Sequence, residues 1–344
     1  MDLNKIIDFL KKYDGPRVKL MEVCGTHTSA IVKSGIRSLI SKNIKLISGP
    51  GCPVCVTPSS YIDKCLGFSM ADNHVLASFG DMMRVPGSSR SLSHAKSEGG
   101  RVELMYSPFE ILSKAKKDPG TTYVIAAVGF ETTAAVYAQL LKEIREGGAE
   151  NVKLLTSLKT IIPALSRICE DEKGIDGFIC PGHVSVITGS KAYEKLCDEY
   201  KKPFIIAGFE PSDILVCIYE LLLAVSGEKP IQVGNLYKNA VRDEGNKKAQ
   251  VAMAECFTEG NAVWRGIGTI ENSGLYLNSE YSNYDAGSAG LDYDKAMPSE
   301  CRCGDVIVGR IDPDECPLFR SECTPSHPLG PCMVSAEGAC MIWS

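Results

Sequence analysis

The 344-residue chain is 44% hydrophobic and 23% charged, so it can bury at least two cores and is too apolar to be disordered away from its ends. A formal charge of -5 with no lysine or arginine block excludes nucleic acid or an anionic membrane as the main partner, leaving a protein or a small molecule. No apolar run is long enough to span a bilayer, and the first residues mix charge with apolar side chains where a signal peptide would not, so the cytoplasm is the expected compartment.

Residues 2–12 carry apolar side chains at helical spacing and predict a short amphipathic helix, ended by Asp14-Gly15-Pro16. A strand is predicted over 18–23. Where it stops, Cys24-Gly25-Thr26-His27-Thr28 makes a strand-to-helix turn with Thr26 as a candidate cap. A cysteine and a histidine three apart at such a turn can share a metal; His27 can equally cap or pack. A second strand, 44–47, runs into Ser48-Gly49-Pro50-Gly51-Cys52-Pro53-Val54-Cys55. Its prolines fix φ, its glycines allow bends, and two cysteines two residues apart can close a small disulfide or grip a metal. Thr57-Pro58 reads as a cap followed by proline at the first helical position, which puts Cys55 near a helix N-terminus, where the partial positive charge favours thiolate. Half of a structural zinc site is the alternative reading of the pair. Strand 75–79 follows, then a loop over 82–90 whose Arg84 and Arg90 are candidates to hold an anion. A strand at 101–105 and a helix at 108–117 close this first unit.

A second unit looks like a loose copy. Its strand, 123–128, ends in Gly129-Phe130-Glu131-Thr132-Thr133, which occupies the place that residues 24–28 hold earlier. Further apolar runs end in Pro181-Gly182-His183-Val184-Ser185 and in Gly208-Phe209-Glu210-Pro211. Strands alternating with helices imply parallel sheets, whose functional loops lie at the carboxyl ends of the strands. No Gly-x-Gly-x-x-Gly or phosphate-loop lysine is present, which disfavours a nucleotide site. From about residue 231 the periodicity weakens, and glycine, asparagine, serine and tyrosine become common through 261–293, predicting a third, irregular domain.

Fifteen cysteines in a compartment that keeps thiols reduced point to metal binding and redox work. Cys65, Cys169, Cys197, Cys217 and Cys256 sit in helix-like apolar patterns and are expected to be small buried hydrophobes. Six others, Cys301, Cys303, Cys316, Cys323, Cys332 and Cys340, crowd a proline- and glycine-rich tail that cannot hold itself with a large core, so cross-linking by a metal is expected. The spacing Cys303-x12-Cys316-x6-Cys323-x16-Cys340 suits four thiolates on a zinc ion or on a [4Fe-4S] cluster, with Cys301 and Cys332 as spare candidates.

Taken together, the turns at 24–28, 49–55, 129–133 and 181–185 and the cysteine tail resemble the hydrogenase maturation HypD family over residues 17–342. The resemblance implies three α/β-type domains around a cleft and a [4Fe-4S] cluster in the tail. It implies a complex with the small chaperone HypC that carries iron while two cyanides, delivered from HypE, and one carbon monoxide are added. The Fe(CN)2CO unit then passes to the large-subunit precursor of a [NiFe]-hydrogenase. By the same resemblance Cys24 is an iron ligand, with HypC supplying another thiolate, and Cys52 and Cys55 are a redox dithiol between cluster and iron; the ligands expected from the tail spacing are Cys303, Cys316, Cys323 and Cys340. His27, Glu131 and His183 are candidates to move protons or hold the diatomic ligands. Reductive release of cyanide from a thiocyanate takes two electrons, which a dithiol stores and a single cluster ordinarily passes one at a time.

The expected fold is therefore α/β: two similar parallel-sheet domains, 1–117 and 118–228, plus an irregular C-terminal domain, 229–344, carrying the iron-sulfur cluster. The expected function is a redox-active metallocentre assembly scaffold rather than a turnover enzyme. The rival readings are an iron-sulfur-dependent protein disulfide reductase, which would not need Cys24, and a structural zinc protein that docks partners.

Overall fold

A computed structural model describes residues 2–291 and 300–344. Eleven strands among the described residues form two sheets. The first sheet is wholly parallel, in the order β2-β1-β7-β8-β9: β1 is Val18–Glu22, β2 Ile44–Ser48, β7 Gly177–Cys180, β8 Phe204–Ile206 and β9 Val233–Asn235. The second, in the order β10-β11-β6-β5-β3-β4, contains β3 (His74–Ser78), β4 (Val102–Leu104), β5 (Thr122–Gly129), β6 (Val152–Lys159), β10 (Phe257–Trp264) and β11 (Gly268–Leu277). β3 to β6 are parallel; β10 and β11 make an antiparallel hairpin that extends the β6 edge.

Two α/β sheets built mainly of parallel strands are as expected, but their membership does not follow the expected segments. The cut at 117/118 would separate β3 and β4 from β5, although β3 lies between β4 and β5 in one sheet. Nor do β7 and β8 join β5 and β6; they return to β1. Parallel strands are joined by long crossovers, so the chain can leave a sheet and come back to it much later.

The segment after residue 231 is also more regular than expected. β9 completes the first sheet and the β10/β11 hairpin completes the second. A register shift between Gly260 and Ala262 interrupts the two-residue alternation of β10, and Asn272 in β11 takes a left-handed φ of 52°. The last two residues of the polar run, 292 and 293, lie outside the described residues. Among the described residues the tail, 300–344, forms no strand and has short helices at Cys303–Ile307 and Ala339–Trp343.

Helices Leu3–Lys12 and Pro211–Val225 bury Ile6, Leu10, Ile214 and Ile218 against one face of the first sheet, and helix Glu131–Gly147 buries Tyr137, Leu140 and Leu141 against the second. Between these lies a core shared by both sheets. It joins Met21 and Ile47 to Leu76, Val124 and Leu155, and it takes in Cys52, Cys55 and five tail cysteines. Burying each such aliphatic side chain is worth roughly 1.5–3 kcal/mol, so the tail is held by the same core that seats the two-cysteine turn. Cys65, Cys169, Cys197, Cys217 and Cys256 are buried, as expected.

Candidate functional site

β1 and β2 are adjacent and parallel, so the loops leaving their carboxyl ends emerge side by side. Cys24 follows β1 in extended backbone (φ -156°, ψ 123°) and immediately precedes helix Gly25–Lys33; Thr26, the expected cap, is already helical. The two-cysteine turn follows β2. A Cβ at Gly51 would lie 2.5 Å from the Cys24 nitrogen and 2.6 Å from its Cα, so the turn rests directly on the Cys24 backbone. The Glu22 carboxylate finishes the joint by accepting the Cys24 N–H at 3.1 Å and the Thr28 hydroxyl.

Cys52 and Cys55 form a disulfide in this structure, and both are buried. Pro58, not Thr57, directly precedes helix Ser59–Met70. Thr57 instead turns its hydroxyl back to donate to the Pro53 carbonyl at 2.8 Å. The same hydroxyl lies 3.2 Å from Ser157, to which Lys159 donates at 2.9 Å. Arg265 donates from its backbone to Val56 and from Nε to the Thr57 carbonyl. Burial lowers Lys159 to about 7. These residues fix the turn from below. The sequence signal for two of them is a charged side chain ending an apolar strand: Glu22 closes β1 and Lys159 closes β6.

On its other side the turn meets the tail. The Cys55 sulfur lies 3.9 Å from the Pro331 carbonyl oxygen, and Cys52, Cys55, Gly25, Cys332 and Glu337 line one small cavity. A Cβ at Gly25 would lie 2.5 Å from Glu337, so the tail is seated over the helix that Cys24 begins. Cys332 belongs to two cavities: the second is lined by all six tail cysteines, including Cys301, Cys303, Cys316, Cys323 and Cys340. The Cys303 and Cys332 sulfurs are 2.6 Å apart, and the Leu329 N–H donates to Cys323. Among the described residues no three His, Cys, Asp or Glu side chains group as a single-ion site. Six thiols around a common cavity, with no carboxylate or imidazole in its wall, are nevertheless a soft donor set of the kind an iron-sulfur cluster takes.

Cys24, although it immediately precedes a helix, is held as a thiol. Burial pushes its thiol up to about 11, outweighing the Thr26 and His27 backbone N–H groups that favour the anion, and the Glu22 carboxyl raises it further. At Cys55 the disulfide takes up the sulfur.

His27 is fully buried, with Nε2 2.9 Å from the Gly208 carbonyl oxygen, so Nε2 carries the proton and donates; Nδ1 is buried without a partner. Burial lowers it to about 4, so the ring is neutral at pH 7. Phe209 lies against both His27 (4.9 Å between centroids) and His183 (4.1 Å). The structure thus brings His27 and His183 to one aromatic ring at the ends of β1, β7 and β8. Glu131 does not join them: it lines a different cavity, and burial raises its carboxyl to about 7. Arg84 and Arg90 serve local contacts, Arg84 with the Pro325 carbonyl and Arg90 with Glu98. No helix among the described residues is long and apolar enough to cross a membrane.

Comparison with known proteins bears on what this arrangement does. Residues 2–344 match the HypD family model, described as the hydrogenase formation hypA family. The chain is 40% identical over 345 residues to a candidate hydrogenase expression/formation protein of Methanocaldococcus jannaschii, covering 99% of this chain and 95% of that one. It is 39% identical over 333 residues to the hydrogenase maturation factor HypD of Escherichia coli (95% and 88% covered). It is 37% identical over 335 residues to that of Rhodobacter capsulatus, again with 95% and 88% covered.

Proposed function

The chain belongs to the HypD family and serves hydrogenase formation, and on that premise we propose that it is the scaffold on which the Fe(CN)2CO group of a [NiFe]-hydrogenase is assembled. In this reading HypC docks at the face carrying Cys24, and Cys24 and a HypC thiolate hold the iron as cargo. HypE delivers cyanide, the finished unit passes to the large-subunit precursor, and the work takes place in the cytoplasm. The observation that carries the reading is the contact chain from Cys24 through Gly51 to the Cys52/Cys55 turn and on to Pro331-Cys332.

The chemistry assigned to the turn balances. A thiocyanate accepts two electrons and two protons to give a thiol and hydrogen cyanide. Oxidation of the Cys52/Cys55 dithiol to the disulfide releases two electrons and two protons. A [4Fe-4S] cluster in the tail would supply electrons one at a time to restore the dithiol. The close Cys303/Cys332 approach favours these two as a thiol pair between the turn and the cluster, which leaves Cys301 with Cys316, Cys323 and Cys340 as the ligand set. This revises the expected ligand Cys303. Cys24, buried as a thiol, becomes a thiolate ligand when iron displaces its proton.

Complementation tests the reading. In a strain lacking its own HypD, the wild-type chain should restore hydrogenase activity, and Cys24→Ala and Cys52→Ser should not. Restored activity with Cys24→Ala would transfer support to the disulfide reductase.

A further inference from the structure

The cavity beside Glu131 contains no cysteine and measures about 660 Å3, within the range that takes a small molecule. Glu131 is the first residue of its helix, and its Oε1 accepts the Ile161 N–H at 2.9 Å. That bond holds the carboxylate still. The other oxygen, Oε2, is buried and has no hydrogen-bond partner. Thr160, which follows the neighbouring strand β6 and lines the same cavity, likewise has a buried Oγ1 without a partner. Two unpaired buried polar atoms on one cavity wall are a costly arrangement unless something in the cavity supplies their partners.

The rest of the wall specifies what that something is. Among the described residues its only charged side chains are Glu131 and Glu259, and no lysine, arginine or histidine lines it. Ile162, Met253 and Leu275 give it apolar sides. We propose that this cavity binds a small organic cation with planar N–H donors, an amidinium or guanidinium on an apolar body, whose N–H groups donate to Glu131 Oε2 and Thr160 Oγ1. A planar fork of N–H groups matches an acceptor pair better than a single ammonium does. The burial that raises the Glu131 carboxyl is opposed only by backbone N–H groups, so the countercharge is left for the ligand to bring. This site is separate from the iron-assembly reading and does not depend on it.

The experiment is calorimetric titration of the full-length protein with benzamidine, its neutral isostere benzamide, and benzoate. Benzamidine should bind saturably at one site, benzamide more weakly, and benzoate not at all. Glu131→Gln keeps an oxygen for the Ile161 N–H and should weaken benzamidine about tenfold, the worth of one charge-assisted hydrogen bond. Thr160→Val should weaken it less. Ala254→Trp, at an exposed position on the wall, fills the mouth without touching the buried pair and should abolish binding whether or not Glu131→Gln folds well. Three results would each overturn the proposal: no saturable heat up to about 5 mM benzamidine, a concentration that detects even a millimolar site; undiminished binding in both Glu131→Gln and Ala254→Trp; or benzoate binding as well as benzamidine does.

Discussion

Replacing Gly51 with alanine should part the two-cysteine turn from Cys24. The added methyl would meet the Cys24 nitrogen at 2.5 Å, its Cα at 2.6 Å and the Val23 carbonyl carbon at 2.6 Å. Ordinary contact begins at 3.4 Å, so the turn or the β1 end must move by 3.4 - 2.5, about 0.9 Å. The atoms met are all backbone, and they are held by the Glu22 carboxylate and by the β1–β2 ladder, so no side chain can swing aside. Overpacking of a well-filled interior costs about 1–3 kcal/mol, and a collision with backbone belongs at the upper end, about 3 kcal/mol. Gly51 is not in the left-handed region, so the cost is steric rather than conformational. Urea denaturation gives the number, with Gly67→Ala as the reference. Gly67 lies within helix Ser59–Met70 with nothing near its Cβ position, and alanine there should stabilise by about 0.5–1 kcal/mol. Gly51→Ala within about 0.5 kcal/mol of the wild type, well under the overpacking range, would refute the seating of the turn on Cys24.

Further expectations concern the buried acid and the sulfurs. Glu131 titrates near 7 when folded against 4.5 for the ordinary side chain, so the stability it contributes is present below 4.5 and lost as pH rises through 7. The shift of about 2.5 units corresponds to about 3 kcal/mol, so the stability of Glu131→Gln relative to wild type should rise by that amount between pH 4.5 and 8; parallel pH profiles would contradict the assignment. Cys55→Ser should leave the iron-sulfur absorption of anaerobically purified protein intact while abolishing maturation, and normal hydrogenase activity in such a strain would remove the dithiol role. Cys301→Ala should lose that absorption and Cys303→Ala should keep it, with the reverse outcome restoring Cys303 as a ligand.

The local pattern of strand, loop and helix was readable because hydrophobic period and turn residues are short-range signals, and the marked turns do lie at strand ends. Sheet membership was not. β1 pairs with β7, whose residues lie more than 150 positions later, and nothing local distinguishes that partner from β5 or β6. The β10/β11 hairpin hid behind its register shift and its run of polar residues. At Cys24 the helix start was legible but the burial that outweighs it was not. A helix terminus is worth about 0.3–1 kcal/mol, up to about 2 in favourable cases, whereas a shift from 9.0 to about 11 represents about 3 kcal/mol in the opposite sense. Burial depth, which decides the contest, depends on the tail packing over residues 24 and 25, a contact between segments some 300 residues apart. The supports at Glu22 and Lys159 were missed for a related reason: a charged residue closing a strand looks like an exposed end until its surroundings are known.

The role of Cys24 as the iron ligand is tested most directly by the infrared spectrum of the anaerobically isolated complex with HypC, comparing wild type with Cys24→Ala. The wild-type complex should show cyanide and carbon monoxide stretching bands, and the variant should lack them while keeping the Cys52/Cys55 disulfide and the tail absorption. Bands that persist undiminished in Cys24→Ala would place the iron elsewhere.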